Sequence, residues 1–304
     1  MPHTALIFNP AAKGARAGGL YSEIRRLVGP SVRIFRTSRQ GEARSISRWA
    51  VREGFERIIA SGGDGTINEI VNGIAGSDVA LGILPTGTMN VFATELGIPR
   101  NIDDAWAVIG RGEERKVDLP IANGHAFVQL AGIGLDAQAV KETSWEFKQT
   151  LGPLSYLVSA AQITARKPPR LVAVGDDGAT REGSFILIGN GRYYGGPFPV
   201  FKDARIDDRQ LNVLIFKNLG YLDIMRYLGG ILRGSHVTMP DVEYFLTHEL
   251  HVSSDEEVPI EVDGEVLGNL PAHITFHPKP LRVLAPPCPR APAIHPPTPP
   301  LPEP

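Results

Sequence analysis

The segment at residues 61–69, SGGDGTINE, places one aspartate among three glycines directly after an apolar, strand-like run. Glycine lets backbone N–H groups approach a ligand closely. A strand that turns into a helix N-terminus through such a loop forms an anion site, and phosphate is its usual occupant. The alternative is a tight turn that needs glycine for steric reasons alone. Asp64 would repel a phosphate unless a cation lay between them, so it indicates a Mg²⁺ ligand or a general base.

Three more polar loops follow predicted strands. Asn9 lies in NPAAKGARAGG, Thr37 in TSRQGEA, and Gly87, Thr88 and Asn90 in LPTGTMN. The carboxyl ends of parallel strands gather around one crevice, so we expect a single nucleotide site at this sheet edge rather than unrelated turns. The glycine segment matches neither the GxxxxGK[ST] pattern of the P-loop nor the GxGxxG fingerprint of dinucleotide binding, so it is a loop of another kind.

The elements that position these loops follow from hydrophobic patterning. Over residues 4–118, short apolar strands alternate with helical patterns, which is typical of a parallel sheet covered on both faces. Beyond KVDLP most segments read as short strands, with two helical insertions. We predict an α/β protein with three parts: a nucleotide-binding domain with a doubly wound parallel sheet at residues 1–118, a mainly antiparallel β substrate domain at 119–284, and a proline-rich, disordered tail at 285–304.

The bulk composition fits a globular protein with a sizeable core, since hydrophobic residues make up 42% of the 304 residues and charged residues 21%. A net charge of −2 provides no basic field, so we expect no nucleic-acid partner. Cys288 is the only cysteine and cannot form an intramolecular disulfide. No run approaches the roughly 18 apolar residues of a membrane span, and we expect neither such a span nor a signal peptide.

Together these loops resemble the diacylglycerol kinase catalytic domain family, which includes bacterial lipid kinases and eukaryotic sphingosine and ceramide kinases. GGDG alone is shared with NAD kinases and phosphofructokinases, but GGDGTINEIVNGI with LPTGTMNVFATELGIP at this distance is more similar to the lipid kinases. The resemblance continues through GIGLDA, GNGRYYGG, DARIDDRQLNV and VDGE, so it covers nearly the whole chain to about residue 284.

The resemblance implies that ATP and Mg²⁺ are the cofactors and that the GGDGT loop grips the ATP phosphates. The residues that it implies for nucleotide binding, together with the loop residues above, are Asn9, Pro10, Lys13, Gly14, Thr37, Gly62, Gly63, Asp64, Gly65, Thr66, Asn68, Glu69, Gly87, Thr88 and Asn90.

It also implies a carboxylate general base for a lipid hydroxyl, and branches of the family differ in which one. Bacterial members use the late DGE motif, here Asp263 and Glu265, and in sphingosine kinases the aspartate that matches Asp64 is favoured. Asp-Gly is also the commonest signal for a type I′ hairpin turn, and the motif can serve both purposes. We expect all three as catalytic candidates, with Glu265 as the base facing Asp64 across an open cleft.

One segment departs from the family pattern. Bacterial members carry a DGxLD segment that holds a structural Mg²⁺, whereas this chain reads DRQLN at residues 208–212. Arginine at the glycine position costs on the order of 1 kcal/mol or more if that position needs positive φ. Asp208 with the carbonyl groups of Arg205 and Gln210 can still form the site, so both its retention and its loss stay open. Arg209 is expected to pair with a neighbouring aspartate.

Two segments are candidates for lipid contact. Arg44, Arg48 and Arg52 recur every four residues on a predicted helix, either as a basic stripe for anionic headgroups or as an ordinary solvated face. The apolar and aromatic residues of WEFKQTLGPLSYLVSAAQI, residues 145–163, either line a lipid cleft or pack in the core.

Residues and resemblance together predict an ATP- and Mg²⁺-dependent lipid kinase of phospholipid metabolism, acting on a diacylglycerol or a sphingoid base. We expect a cytoplasmic protein that meets its lipid peripherally at the inner face of the membrane, while homodimer formation stays open. The alternatives are a kinase of a soluble substrate, as in NAD kinases, and a catalytically silent nucleotide-binding protein, which the DRQLN change motivates.

Overall fold

The structure is a computed structural model that describes residues 3–12, 17–134, 168–196 and 198–287. Lys13 and Gly14 of the predicted nucleotide site lie outside the described residues, as do the predicted lipid-contact segment at 145–163 and most of the predicted tail. Among the described residues, no helix combines the length and the apolar character that a membrane crossing requires.

The first sheet contains strands that are buried on both faces, which is why their sequences read as continuous apolar runs. Its strands are β1 (Thr4–Phe8), β2 (Val32–Arg36), β3 (Arg57–Gly62), β4 (Ala80–Pro85), β5 (Glu114–Val117) and β20 (Leu281–Leu284). They are ordered β2-β1-β3-β4-β20-β5, and all neighbours run parallel except β5, which is antiparallel to β20.

Helices on this sheet begin and end at local sequence signals. The described ones are α1 (Ala17–Val28), α2 (Glu42–Arg52), α3 (Asp64–Ile74), α4 (Val91–Glu95) and α5 (Ile102–Arg111), with a 3₁₀ turn at Pro10–Ala12. Asn101, for example, caps α5 by accepting hydrogen bonds from the N–H groups of Asp103 and Asp104 at 2.9 and 3.1 Å. The loops before α2, α3 and α4 each leave the carboxyl end of a parallel strand, so they meet at one edge of the sheet.

Two antiparallel sheets account for most of the remaining described chain. One contains β6 (Pro120–Ala122), β7 (His125–Ala126), β9 (Leu171–Gly175), β10 (Thr180–Gly183), β16 (Leu250–Ser253) and β19 (Ala272–Phe276), in the order β10-β9-β16-β19-β6-β7. The other contains β8 (Leu130–Ile133), β11 (Phe185–Gly189), β14 (Leu211–Phe216), β15 (Val242–Thr247), β17 (Pro259–Val262) and β18 (Glu265–Asn269), in the order β15-β14-β11-β8-β17-β18.

The two antiparallel sheets share one core, to which Ile133 and Ile188 contribute from one side and Leu250 and Ile274 from the other. Three further elements cover the second of these sheets or its edge. They are the ribbon of β12 (Tyr193–Tyr194) and β13 (Phe198–Pro199), helix α6 (Tyr221–Arg233) and a 3₁₀ turn at His236–Thr238.

The predicted fold class, a parallel α/β region followed by an antiparallel β region, is confirmed. The chain does not keep to this order at its end, because Leu281–Leu284 returns to pair in parallel with β4. The first sheet therefore draws a strand from beyond the division predicted at residue 119. Ala285, assigned to the disordered tail, is fully buried and its N–H donates to the Glu113 carbonyl oxygen at 3.2 Å.

Candidate active site

The glycine segment turns β3 into α3 at the shared sheet edge. Gly63 is the N-cap residue of α3, and Asp64 is the first residue of the helix. A Cβ on Gly62 would lie 2.5 Å from Thr66 Oγ1, and a Cβ on Gly87 would lie 2.3 Å from Gly63 Cα. Close packing therefore requires Gly62 and Gly87, which accounts for part of the glycine pattern by steric fit alone.

Gly65 has no such steric need. The nearest atom to a Cβ placed on Gly65 is Glu265 Oε1, at 3.8 Å, from a strand two hundred residues later in the chain. The first turn of α3 thus presents its free N–H groups to a space that the Glu265 carboxylate borders. Free N–H groups and the helix dipole make such a turn a site for a phosphate group.

The loop after β1 is bonded to this corner through Asn9. The Asn9 N–H donates to the Ser61 carbonyl oxygen at 2.9 Å, and Asn9 Nδ2 donates to Thr66 Oγ1 at 2.8 Å. Asn9 Oδ1 accepts the Ala11 N–H at 3.0 Å, which shapes the 3₁₀ turn that Pro10 begins. The structure thereby places Asn9, Pro10 and Thr66 together beside the glycine segment.

The loop after β4 is shaped by Asn90, which adopts a left-handed φ of 52°. Asn90 Oδ1 accepts the Gly87 N–H at 3.0 Å, and Asn90 Nδ2 donates to the Gly87 carbonyl oxygen at 2.8 Å. Thr88 is exposed at the tip of this turn. The loop then delivers the start of α4 to the glycine corner, where the Phe92 N–H donates to Asp64 Oδ1 at 3.3 Å.

Asp64 lies partly buried between the glycine corner and α4. Burial raises its pKa to about 6; the negative charge of Asp263 acts in the same direction, and the hydrogen bond from the Phe92 N–H opposes the rise. A carboxyl group that titrates this close to neutral pH can exchange a proton or bind a cation under working conditions.

Two of the predicted nucleotide-binding residues, Glu69 and Thr37, make hydrogen bonds that hold the loop between β2 and α2. Glu69 is buried, and its Oε1 and Oε2 accept the N–H groups of Gly41 and Ala43 at 2.7 and 3.0 Å. This fixes the loop that leads into α2. Thr37 is also buried, and its N–H donates to the Phe8 carbonyl oxygen at 3.0 Å.

The asparagines of the NEIVNG motif, Asn68 and Asn72, form what we call the asparagine latch. Asn68 Nδ2 donates to Asp263 Oδ2 at 2.8 Å and to the Ala126 carbonyl oxygen at 3.1 Å. Asn72 Nδ2 donates to the same carbonyl at 2.8 Å, and Asn72 Oδ1 accepts the Ala126 N–H at 2.9 Å. Asn68, predicted to bind nucleotide, joins α3 to the antiparallel region through these hydrogen bonds.

The late DGE motif forms the predicted hairpin turn between β17 and β18. Val262 pairs with Glu265, and the two residues between them, Asp263 and Gly264, have φ values of 47° and 87°, as a type I′ turn requires. Both Asp263 oxygens accept hydrogen bonds. Their donors are Asn68 Nδ2 and the N–H groups of Val128, Gln129 and Leu130, at 2.8–3.1 Å. Asp263 therefore anchors the turn to β8 and to α3.

Glu265 is partly buried and faces the first turn of α3. Burial raises its pKa, the negative charge of Glu69 adds to the rise, and the positive charge of Arg44 opposes it. Fewer donors hold this carboxylate than hold Asp263, since a hydrogen bond from Gln40 is the one that acts on its pKa. Glu265 is thus the carboxylate of the hairpin that is free to accept a proton.

Arg44 belongs to this site rather than to the basic stripe predicted on α2. Its Nε is buried with no hydrogen-bond partner in the described part of the chain, and its charge acts on Glu265 and on His125. Arg48 and Arg52 follow at four-residue intervals on the same helix face but remain exposed. The predicted stripe is therefore divided, and its first member is directed toward the hairpin.

A cavity of about 160 Å³ separates the glycine corner from the DGE hairpin. Asp64 lies on one wall, and Asp263 and Gly264 lie on the opposite one. The other lining residues, most of them apolar or aromatic, are Met89, Val91, Phe92, Val128, Gln129, Leu130, Tyr193, Tyr194, Gly195 and Glu261. The structure thus places two of the three candidate catalytic carboxylates, Asp64 and Asp263, on this cavity. Glu265 does not line it and lies instead beside Gly65 at the start of α3.

Glu95 escaped the sequence predictions. It is buried in α4, where Oε1 pairs with Arg192 Nε at 2.9 Å and Oε2 accepts the Arg192 N–H at 2.7 Å and Gln129 Nε2 at 3.4 Å. This ties the GNGRYYGG loop to α4 beside the cavity. The available signal was a single acidic residue within the apolar run NVFATELG. Glutamate is rarely buried unless it is paired, so its position on an apolar helix predicts a cationic partner.

The residues predicted to hold a structural metal form a turn that precedes β14. Arg209 adopts a φ of 56°, so the position does need the left-handed conformation that glycine takes most easily. Asp208 Oδ1 accepts the Gln210 N–H at 3.0 Å, and the Arg209 N–H donates to Asp118 Oδ2 at 2.5 Å. Asp118, which was not among the predicted metal ligands, therefore lies beside the turn that contains Arg205, Asp208 and Gln210. Burial, followed by neighbouring carboxylates, raises the pKa of both Asp118 and Asp208.

The prediction that Arg209 pairs with a neighbouring aspartate is wrong, because Arg205 forms that ion pair. Arg205 Nε pairs with Asp207 Oδ1 at 3.2 Å. The Arg209 guanidinium lies instead over the Phe276 ring, 5.3 Å from its centroid.

Comparisons with known proteins find relatives along most of the chain. Residues 3–121 match the family model of the diacylglycerol kinase catalytic domain, and residues 129–285 match that of the YegS C-terminal NAD kinase beta sandwich-like domain. The diacylglycerol kinase of Staphylococcus carnosus (strain TM300) is 32% identical over 243 residues, which cover 79% of each protein. That of Staphylococcus aureus (strain Newman) is 30% identical over 263 residues, 85% of this chain and 84% of the relative. A crystal structure of a protein described as a diacylglycerol kinase from Bacillus anthracis str. Sterne superimposes with a TM-score of 0.80 at 27% identity, covering 93% of this chain and 95% of that one.

Proposed function

The chain belongs to the diacylglycerol kinase catalytic domain family, and from this premise we propose that it transfers the γ-phosphoryl group of ATP to the hydroxyl group of a diacylglycerol. Membership by itself makes the chain a kinase of a lipid-kinase family. One observation supports the finer proposal: the glycine corner and the DGE hairpin face each other across a cleft whose walls are mostly apolar. Such a cleft suits a substrate with a polar head on an apolar body.

We assign ATP binding to the backbone of the glycine segment. Its N–H groups at the start of α3 are open on the side of Gly65, and the helix dipole favours an anion there. Asn9 and the Gly87 turn, packed against the same corner, would enclose the phosphate chain.

The donor set at the corner also fits Mg²⁺. Asp64 offers a carboxylate beside the proposed phosphate position, and its raised pKa reflects a buried negative charge that a cation would stabilise. When bound there, Mg²⁺ would neutralise negative charge on the transferring phosphoryl group.

Glu265 is assigned as the general base. In the transfer, the lipid hydroxyl oxygen forms a bond to the γ-phosphorus, the bond from that phosphorus to the leaving ADP oxygen breaks, and the hydroxyl proton passes to the carboxylate. Glu265 faces the start of α3, whereas the Asp263 oxygens already hold four N–H donors. Asp263 is accordingly a positioning residue, and Arg44 helps to keep Glu265 ionised.

We also propose that the turn before β14 binds a structural Mg²⁺. Asp118, Asp208 and the carbonyl groups of Arg205 and Gln210 would supply oxygen ligands, which are the type that Mg²⁺ prefers. Burial is the main cause of the raised pKa values of Asp118 and Asp208, with a smaller contribution from neighbouring carboxylates, and a bound cation would oppose both effects.

Because the substrate would reside in a bilayer, we propose peripheral contact with a membrane surface.

Turnover of a lipid panel tests the function. The full chain is incubated with radiolabelled ATP, Mg²⁺ and mixed micelles of diacylglycerol or sphingosine, with NAD as the soluble competitor. We expect labelled phosphatidic acid, and we expect Glu265→Gln to lower kcat roughly 100-fold or more while ATP binding is retained. Glu256→Gln, an exposed acid of the same region, is the matched control and should keep full activity.

Two results would overturn the proposal. Labelling of NAD with no labelled lipid would make the chain a kinase of a soluble substrate. ATP binding with no labelled product from any acceptor would indicate a nucleotide-binding protein without turnover.

A further inference from the structure

Two histidines and a glutamate meet on the exposed face of the sheet that contains β16 and β19. His251 on β16 and His273 on β19 are direct partners in the antiparallel register. Glu249 precedes His251 by two residues, so it points to the same face of the sheet. Directly opposed side chains have Cβ atoms about 5 Å apart, close enough for two imidazoles and a carboxylate to share one ligand.

The side-chain atoms converge in the way that a metal site requires. Glu249 Oε1 lies 2.5 Å from His273 Nε2 and 3.3 Å from His251 Nε2. The two imidazole rings are stacked 4.3 Å apart at an angle of 3°. One potential ligand atom from each of the three residues lies within 4.8 Å of the others. A single ion can therefore contact all three after small side-chain rotations.

The backbone beneath these residues is held in place. The His273 N–H donates to Asn123 Oδ1 at 2.9 Å, and the Asn123 N–H donates to the His273 carbonyl oxygen at 3.0 Å. Leu250 and Ile274, the neighbours of the two histidines, are fully buried. Ligands carried by paired strands over a packed core keep their spacing better than ligands on a loop.

We propose that Glu249, His251 and His273 bind one divalent transition-metal ion of the zinc class. Two imidazoles and one carboxylate form a ligand set that zinc accepts with a further position open to water. Imidazole nitrogens favour Zn²⁺, Ni²⁺ and Cu²⁺ over Mg²⁺ and Ca²⁺, so the site would select a different ion from those proposed for phosphoryl transfer. The inference is independent of the proposed kinase activity, since none of the three residues belongs to that site.

Calorimetric titration of the full chain with ZnCl₂ in metal-free buffer tests the site. We expect one Zn²⁺ per chain that is lost in the double variant His251→Ala/His273→Ala, and Glu249→Gln should weaken binding by more than about tenfold. His248→Ala is the matched control, because His248 is exposed three residues from His251 and pairs with Asp176 instead. Cys288→Ala removes the only thiol and should leave binding unchanged.

Thermal unfolding provides a second readout that does not depend on catalysis. Zn²⁺ that binds the folded state should raise the Tm of the wild type and of His248→Ala, and leave that of the double variant where it is. All three replaced ligand residues are exposed, so the variants should fold. Equal Zn²⁺ stoichiometry and affinity in the wild type and the double variant would overturn the proposal, as would the absence of Zn²⁺ binding to the wild type.

Discussion

At the scale of single residues, the carboxylates of the site differ in what their oxygens already hold. Asp263 and Glu69 accept backbone N–H groups at both oxygens and thereby fix a turn and a loop. Asp64 accepts the Phe92 N–H at Oδ1, with smaller contributions from the N–H groups of Val91 and Asn90, and Glu265 faces the first turn of α3. The acids with free lone pairs are thus the ones available to a cation or a proton.

Replacement of Asp64 by asparagine should separate activity from stability. We expect Asp64→Asn to lower kcat roughly 100-fold or more, because a positioned acid–base or cation-binding group is lost. The folded-state pKa of Asp64 is raised from 3.8 to about 6, so ionisation of this residue destabilises the fold at pH values above that range. At pH 7 the neutral amide should therefore stabilise the protein, by at most about 3 kcal/mol.

Thermal unfolding at two pH values checks whether Asp64→Asn stabilises the protein as expected. The gain in Tm should be present at pH 7, shrink as the pH falls through about 6, and vanish near about pH 3, where the carboxyl of the wild type is neutral in both states. Asp104→Asn, an exposed acid in the first turn of α5, serves as the control for activity. Wild-type turnover in Asp64→Asn would remove Asp64 from the mechanism.

Arg44→Gln should shift the pH dependence of turnover. The positive charge of Arg44 lowers the pKa of Glu265, so its removal raises that pKa and moves the acidic limb of the kcat profile to higher pH. Arg48→Gln, exposed one helical turn later, should leave the limb in place. An unmoved limb in Arg44→Gln would show that Glu265 is not the titrating base.

At the scale of elements, the site depends on how closely two loops approach. The turn after β4 contacts the glycine segment backbone to backbone, with no space for a side chain between Gly87 and Gly63. The four parallel strands β1 to β4 bring their following loops to one edge of the sheet. The contact between Gly87 and Gly63 then fixes two of these loops against each other.

Gly87→Ala tests this approach. A Cβ there would lie 2.3 Å from Gly63 Cα, so the loops must separate, and we expect ATP affinity to fall by more than about tenfold. Gly110→Ala is the matched control, because no atom lies within 4 Å of a Cβ at this position in α5. That variant should bind ATP normally and gain roughly 0.5–1 kcal/mol of stability. Unchanged ATP affinity in Gly87→Ala would place the nucleotide elsewhere.

At the scale of the whole molecule, the asparagine latch joins the parallel and antiparallel regions. It connects α3, which begins at the glycine corner, to Ala126 and to the DGE hairpin. The return of β20 to the first sheet gives a second covalent and hydrogen-bonded connection. Residues from both regions can therefore keep a fixed separation across one cleft.

Asn72→Ala should weaken both stability and turnover. It leaves the Ala126 N–H and carbonyl groups without their Asn72 partner, which costs about 1–3 kcal/mol for buried groups. Denaturant unfolding should show a lower midpoint, and kcat should fall because Asn68 and the hairpin lose their support. Asn269→Ala, exposed on β18, should stay within about 0.5 kcal/mol of the wild type. A stable and fully active Asn72→Ala variant would show that the asparagine latch supports neither folding nor turnover.

The sequence by itself determined the classes of structure and the positions of the loops. Continuous apolar runs specify buried parallel strands, glycines at strand ends specify tight turns, and Asp-Gly specifies a type I′ hairpin. These signals depend on residues within a few positions of each other, so they can be read locally. The fold class, the glycine corner and the turn at Asp263 follow from them.

Only the tertiary structure decided which polar side chains face the cleft. Asn68 and Glu69 stand beside Asp64 in sequence, yet their partners come from distant segments, and both support loops. Arg44 turns inward although Arg48 and Arg52 do not, and Asp118 joins the turn at Arg209 from 91 residues away. A side chain's direction depends on contacts that packing alone creates, and a hydrogen bond between residues far apart in the chain leaves no local pattern in the sequence.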